Sequence, residues 1–235
     1  MKALVLAIGD ELVGGRTVDT NSAHLSHHLA ARGISTIAHV TVADDRAAIA
    51  SAVADAAGRA DVVLVTGGLG PTEDDLTRQG PADALGVELV LNEPCLAEIE
   101  AFFQQRGREM VPANRIQAML PAGAEPLENR RGTAPGIAAM LGEAAVFVMP
   151  GVPYEMREMF LTQIAPRLPD GAGAIVQHIV HTYGQGESDV GTTIRDLMRR
   201  DANPTVGTTV AAGMVSVRVT ARAESTDRAD VLVRE

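Results

Sequence analysis

Cysteine is almost absent from this chain of 235 residues: Cys95 stands alone, which excludes a disulfide framework and a zinc-ribbon spacing. Aromatic residues make up only 3% and tryptophan is missing, so the core must be built from aliphatics. A basic excess is also lacking. The formal net charge of -10 argues against a general nucleic-acid or anionic-membrane binder. The local pairs Arg106 and Arg108, Arg130 and Arg131, Arg199 and Arg200 stand against that global field. No apolar run approaches the length of a membrane span. The apolar start, Met1 to Ile8, is too short for a signal peptide and runs straight into Gly9-Asp10-Glu11. These absences predict a cytoplasmic protein with no nucleic-acid and no membrane partner. What is present is 46% hydrophobic, rich in alanine and valine, and long enough for one large domain and a small one.

The stretch from Val62 to Thr77 organises the rest. Val62 to Val65 is a continuous apolar run, as a strand buried on both faces requires. Gly67, Gly68 and Gly70 follow, then Pro71, Thr72 and the acids Glu73, Asp74 and Asp75. Glycines let the backbone turn tightly and let a ligand approach it. The amides of such a turn, with a helix start behind it, favour an anion such as phosphate. Carboxylates repel phosphate, so acids in that place imply a bridging divalent cation. The alternative is local: the loop only turns the chain, and Thr72 with Asp75 forms an N-cap pattern.

Along the chain, Ala3 to Ile8, Ile34 to Val42 and Asp61 to Thr66 read as strands. Helices are expected over Asn21–Arg32, Arg46–Gly58 and Leu76–Leu85, the last compromised by Gly80-Pro81. This alternation predicts a parallel sheet covered by helices, with the ligand off the carboxyl ends of the strands. Asp10-Glu11, Asp44-Asp45 and Glu73-Asp74-Asp75 fall at or just beyond those ends, and converging carboxylates suit a hard divalent cation. For Asp44-Asp45, capping of the next helix is the competing reading. Further on, Asn92–Gly107, Met110–Leu120 and Tyr154–Leu168 read as helical, and Ala144–Met149 as a strand. The segment from Asn129 to Ile137 reads as a loop with two basic residues, and Pro150 to Pro153 as a second Gly/Pro loop. Pro166 to Gly173 reads as a boundary. Beyond it, Ala174–Tyr183 is a strand, Glu187–Arg200 helical, Pro204–Ala223 a hairpin around Gly213, and Thr226 onward helical. The last pattern breaks off at Glu235, which predicts a piece of a longer polypeptide.

Gly9-Asp10-Glu11-Leu12, Asp19-Thr20-Asn21-Ser22, Val42-Ala43-Asp44-Asp45 and Thr66 to Thr77 match, in order, the N-terminal domain of the competence/damage-inducible protein A (CinA) family. Gly132 to Gly136, Pro150 to Met156 and Gly184 to Ser188 continue a resemblance that covers essentially the whole chain. It implies a three-layer α/β/α molybdopterin-binding-like domain around a mostly parallel sheet over residues 1–168. A small α+β, KH-like domain, truncated, is then expected over 174–235, without the GXXG loop of a nucleic-acid-binding KH module. The implied activity is hydrolysis of ADP-ribose, or a related nucleoside diphosphate sugar, to AMP and ribose 5-phosphate with Mg²⁺, Mn²⁺ or Co²⁺. Nothing resembles the nicotinamide mononucleotide deamidase domain that many family members carry. The resemblance makes Asp75, Asp74 and Glu11 the catalytic candidates and Glu11, Asp44 and Asp75 the metal ligands. Gly67, Gly68, Gly70 and Thr72 are expected to hold phosphate, with Asn21, Gly132, Thr133 and Gly151 lining the remainder. Arg130 is either a phosphate contact or part of an exposed salt bridge. Cys95 lacks an activating histidine, and His24 with His28 lacks a third ligand. A homodimer is expected. A pterin- or nucleotide-binding module without turnover, and adenylyl transfer of the molybdenum-cofactor type, remain the alternatives.

Overall fold

Lys2–Ile8 (β1) is apolar from Ala3 onward and buries every one of those side chains, which only a strand covered on both faces allows. The structure is a computed structural model and describes residues 1–169, 173–199 and 201–235. After β1 come a single helical turn, Asp10–Val13 (α1), then Thr20–Ala31 (α2), Ser35–Val42 (β2), Arg46–Arg59 (α3) and Val62–Thr66 (β3). Gln79–Leu85 (α4), Leu89–Leu91 (β4), Glu93–Gln104 (α5), Met119–Pro121 (β5) and Glu125–Leu127 (β6) follow. Gly136–Leu141 (β7), Ala144–Met149 (β8) and Pro153–Met159 (α6) complete this part. The main sheet runs β2-β1-β3-β8-β7-β6. β1 pairs in parallel with β2 and β3, and β3 with β8, whereas β7 is antiparallel to β8 and β6.

The chain thus leaves β1 towards β2 on one side and returns to β3 on the other. The crevice between β1 and β3 is the switch point where an open α/β sheet takes its ligand. The core is aliphatic: Leu4, Leu6, Val63, Val65, Val146 and Val148 of the sheet pack with Ile49, Val53 and Ala56, the buried stripe of α3. Each fully buried aliphatic of this size contributes ~1.5–3 kcal/mol.

Several expected elements move. The helix expected from Leu76 begins at Gln79, so Pro81 is in its first turn, where amides have no intrahelical partner to lose. Gly80 lies there because a Cβ would fall 2.3 Å from Ile49 Cγ2 on α3. Met110–Leu120 is a 3-10 turn, Pro112–Ala118, followed by β5. Gly136 and Ile137, expected in a loop, open β7, and a Cβ on Gly136 would meet Met159 Sδ at 2.5 Å. The helix expected through Leu168 keeps α-geometry only to Met159, then widens over Phe160–Ile164 and ends in a 3-10 turn, Ala165–Arg167, containing Pro166.

The smaller sheet contains Ala174–Tyr183 (β9), Thr205–Ala211 (β10) and Met214–Ala223 (β11) in the order β10-β11-β9, all antiparallel. Ala212 (φ 49) and Gly213 (φ 77) form the two-residue turn expected around Gly213. Glu187–Thr193 (α7) stops earlier than expected, and Arg200, its expected end, lies outside the described residues, as do residues 170–172 of the expected boundary. Thr226–Arg234 (α8) is capped by the Ser225 side chain and packs Ala229 with Ala174 and Ala221. Compact units divide as Met1–His27 with Ser35–Pro169, and His28–Ile34 with the C-terminal part of the chain. Among the described residues no helix is long and apolar enough to cross a membrane.

Candidate functional site

A cleft of about 640 Å³ opens at the carboxyl ends of β1, β3 and β8. Glu11, Asp44, Asp74 and Asp75 line it, as do Asn21, Gly67, Gly68, Gly70, Gly132, Thr133 and Gly151, whereas Thr72 is not among the lining residues. The candidates are therefore gathered at one place, but their roles divide differently from the expectation.

The ends of β1 and β2 are tied by a reciprocal pair: Asp10 N–H donates to Asp44 Oδ2 at 2.9 Å, and Asp44 N–H to Asp10 Oδ1 at 3.2 Å. Asp45, not Asp44, caps α3, accepting from Ala48 N at 2.8 Å. Asp44 is left facing the cleft. Burial raises its carboxyl above the ordinary range and the charges of Asp10, Glu11 and Asp74 add to this, against the Asp10 amide, which lowers it. Four carboxylates therefore share one electrostatic neighbourhood.

Asp75 does not belong to that group. Its Oδ1 accepts from Gly70 N at 2.7 Å, and its Oδ2 from Thr72 N at 2.8 Å and from the Thr72 hydroxyl at 2.5 Å. The leading acid of the sequence reading is thus engaged by its own loop. The Thr72 hydroxyl is also near enough to Asp74 to hold that carboxyl below the usual range. Among the described residues no three His, Cys, Asp or Glu side chains are close enough to hold a metal ion by themselves. The expected set of Glu11, Asp44 and Asp75 is consequently not assembled as a ready-made cage.

Gly67 (φ 108) and Gly68 (φ 58) occupy left-handed backbone, and a Cβ would fall 2.1 Å from Ile8 O at the first and 2.0 Å from Thr77 Oγ1 at the second. Of the expected phosphate amides, Gly67 N donates to Met149 O at 3.1 Å and Gly70 N to Asp75. Three carbonyls of this turn are bonded to the protein, Gly68 O accepting from Thr77 N at 3.2 Å. Leu69 O and Gly70 O accept from the guanidinium of Arg78, a fully buried side chain that sequence reasoning missed. Gln117, also buried, adds a long contact from Nε2 to Leu69 O at 3.5 Å and is itself held by Asn114. No spacing rule singles out Arg78.

Beside the turn Asn21 donates from Nδ2 to Gly151 O at 2.8 Å, and a Cβ on Gly151 would lie 3.2 Å from Gly67 Cα. Asn129 organises the Gly132-Thr133 loop: its Oδ1 accepts from Arg131 N and Gly132 N, while Nδ2 donates to Ala134 O and Glu155 Oε2. Glu155, buried and lining the cleft, was also missed. Arg130 forms an exposed salt bridge with Glu128 and is not a cleft residue. Burial and the Glu98 charge push the Cys95 thiol up to about 11, the opposite of an activated nucleophile.

A family model described as a probable molybdopterin binding domain matches residues 4–170, and one described as the damage-inducible protein CinA KH domain matches 177–235. A CinA-like protein of Frankia casuarinae is 41% identical over 99% of this chain, and one of Dictyoglomus thermophilum is 37% identical over 99%. The chain spans 56% and 57% of these relatives, little more than half of their length. The crystal structure of the protein CinA from Thermoplasma acidophilum superposes with a TM-score of 0.66 at 34% identity, covering 71% of this chain and 98% of that one. The molybdopterin biosynthesis enzyme MoaB of Thermus thermophilus shares the fold, with a TM-score of 0.50 at 24% identity over 72% of this chain and 91% of its own. A molybdopterin-binding-type domain followed by a CinA KH domain is the order both models read along this sequence, and the chain therefore belongs to the CinA family.

Proposed function

We propose that this chain is a metal-dependent pyrophosphatase that hydrolyses ADP-ribose, or a related nucleoside diphosphate sugar, to AMP and ribose 5-phosphate. The observation that carries the reading is the gathering of Glu11, Asp44 and Asp74 in one cleft with a glycine turn whose Leu69 and Gly70 carbonyls are held by Arg78. Like charges gathered in this way suit a hard cation. Mg²⁺ is commonly held by one or two carboxylates together with substrate phosphates and water. Glu11, Asp44 and Asp74 are the residues that would hold it, Asp74 taking the place first expected for Asp75. A divalent cation in that place would neutralise phosphate charge and lower the pKa of a bound water.

The residues of the chain do the remainder. The Gly67–Gly70 turn and the Gly132-Thr133 loop shape the space for the diphosphate, and Asn21 holds Gly151 beside Gly67. Glu11 or Asp74 accepts the proton of the attacking water as its oxygen bonds to phosphorus and the bridging P–O bond breaks. A second reading, a pterin- or nucleotide-binding module without turnover, has in its favour that no three acidic side chains form a cage unaided among the described residues. The test is AMP release from ADP-ribose with EDTA, Mg²⁺, Mn²⁺ or Co²⁺. Metal-dependent release, lost in Asp74→Ala, is expected. No release with any metal from folded protein overturns the enzyme and leaves the binding module. Pyrophosphate release from ATP that requires a pterin, with the adenylyl group transferred to it, indicates adenylyl transfer instead.

A further inference from the structure

Arg78 is among the largest fully buried side chains of the protein, and no carboxylate forms an ion pair with it among the described residues. Its Nε is buried without a hydrogen-bond partner. Desolvation pulls its pKa down to about 10, and the charge of Asp75 only partly offsets this. An unsatisfied buried donor costs about 1–3 kcal/mol, and an apolar side chain of similar volume commonly stabilises a core better than a buried charge. Stability is therefore a poor reason for an arginine here.

Its hydrogen bonds supply a better one. The peptide between Leu69 and Gly70 is gripped at both ends: the Leu69 carbonyl by Arg78, the Gly70 amide by Asp75. In the next peptide the Gly70 carbonyl is again held by Arg78, at 2.9 Å, and Pro71 has no amide to orient. The third offers its Thr72 amide to Asp75. Two side chains thus fix three successive peptide planes and hold the Leu69 and Gly70 carbonyls on the protein side.

We infer that Arg78 is a positioning residue of the cleft: by holding the Leu69 and Gly70 carbonyls on the protein side, it makes the Gly67–Gly70 turn able to take a diphosphate. Its buried positive charge acts on Asp75 of the same loop. This rests on the reading of the cleft as a phosphate site. The planar guanidinium fork suits this, because it presents its donors in a fixed geometry whereas an ammonium on a flexible stem does not.

The test uses the full chain, inorganic pyrophosphate with Mg²⁺ as the probe in calorimetry, and amide ¹H–¹⁵N spectra. Arg78→Met is expected to weaken pyrophosphate binding about tenfold or more, the loss of charge-assisted hydrogen bonds. It should also shift the Gly70 and Thr72 amide signals while leaving Val63 to Val65 of β3 in place. Arg78→Lys should regain part of the affinity without restoring those two signals. Should Arg78→Met not fold, Arg78→Lys decides: unmoved Gly70 and Thr72 signals with full affinity overturn the proposal. Full pyrophosphate affinity in a folded Arg78→Met overturns the positioning role while leaving the phosphate site standing. A wild-type chain that takes no pyrophosphate overturns the phosphate site and this proposal together.

Discussion

Replacing Asp75 separates two accounts of the acidic motif. Its carboxylate accepts three hydrogen bonds, from Gly70 N, Thr72 N and the Thr72 hydroxyl. At about 1 kcal/mol net for each, Asp75→Ala should destabilise the α/β domain by about 3 kcal/mol. For a domain of this size that lowers the melting temperature by about 6–12 °C. Asp75→Asn should do nearly as much harm, because an amide that keeps Oδ1 on Gly70 turns its NH₂ towards the Thr72 amide, donor against donor. Asp74→Asn, altering a carboxylate at the acidic rim, should leave the melting temperature within about 1–2 °C and still abolish metal-dependent AMP release. Calorimetry of the three variants beside the AMP assay checks this. An Asp75→Asn protein with wild-type melting behaviour and unmoved Gly70 and Thr72 amide signals, but no activity, would refute the reasoning. It would mean that Asp75 acts directly on metal or substrate.

Gly68→Ala should destabilise by about 2–4 kcal/mol, combining a left-handed φ of 58 with a Cβ placed 2.0 Å from the buried Thr77 hydroxyl; urea unfolding measures it. Cys95 should react with a thiol reagent at pH 8 only as the chain unfolds. Its folded pKa of about 11 lies above the ordinary 9.0, so between those values the folded chain retains a proton that the unfolded chain has lost. Stability contributed by Cys95 therefore falls as pH rises through that window. The urea midpoint of wild type should drop more than that of Cys95→Ala between pH 8.5 and pH 10.5.

The strands that carry the site were legible because burial on both faces leaves a plain signature: Ala3 to Ile8, Val62 to Val65 and Ala144 to Met149 have no polar residue to hide. The convergence of acids was legible for the same reason, since strand ends in a parallel sheet share one edge. β4 to β6 were not, because three residues are too few to show an alternation or an apolar run of strand length. The division of labour among Asp44, Asp45, Asp74 and Asp75 was hidden by their adjacency. Which of two neighbouring carboxylates caps a helix and which faces a ligand depends on backbone direction at a turn. Arg78 and Glu155 were hidden more deeply, because a charged residue in a sequence is read by default as solvated.

The close stacking of the two glycine loops makes their tolerance to change mutually dependent. Gly67 is pinned against Ile8 O, its amide is bound to Met149 O, and Gly151 rests on its Cα. A side chain at Gly151 displaces Gly67, and a side chain at Gly67 strikes the end of β1, so no single loop can drift while the other stays. Randomised libraries covering positions 67 and 151 should accordingly show strong epistasis between them, with acceptable pairs far rarer than the product of acceptable singles.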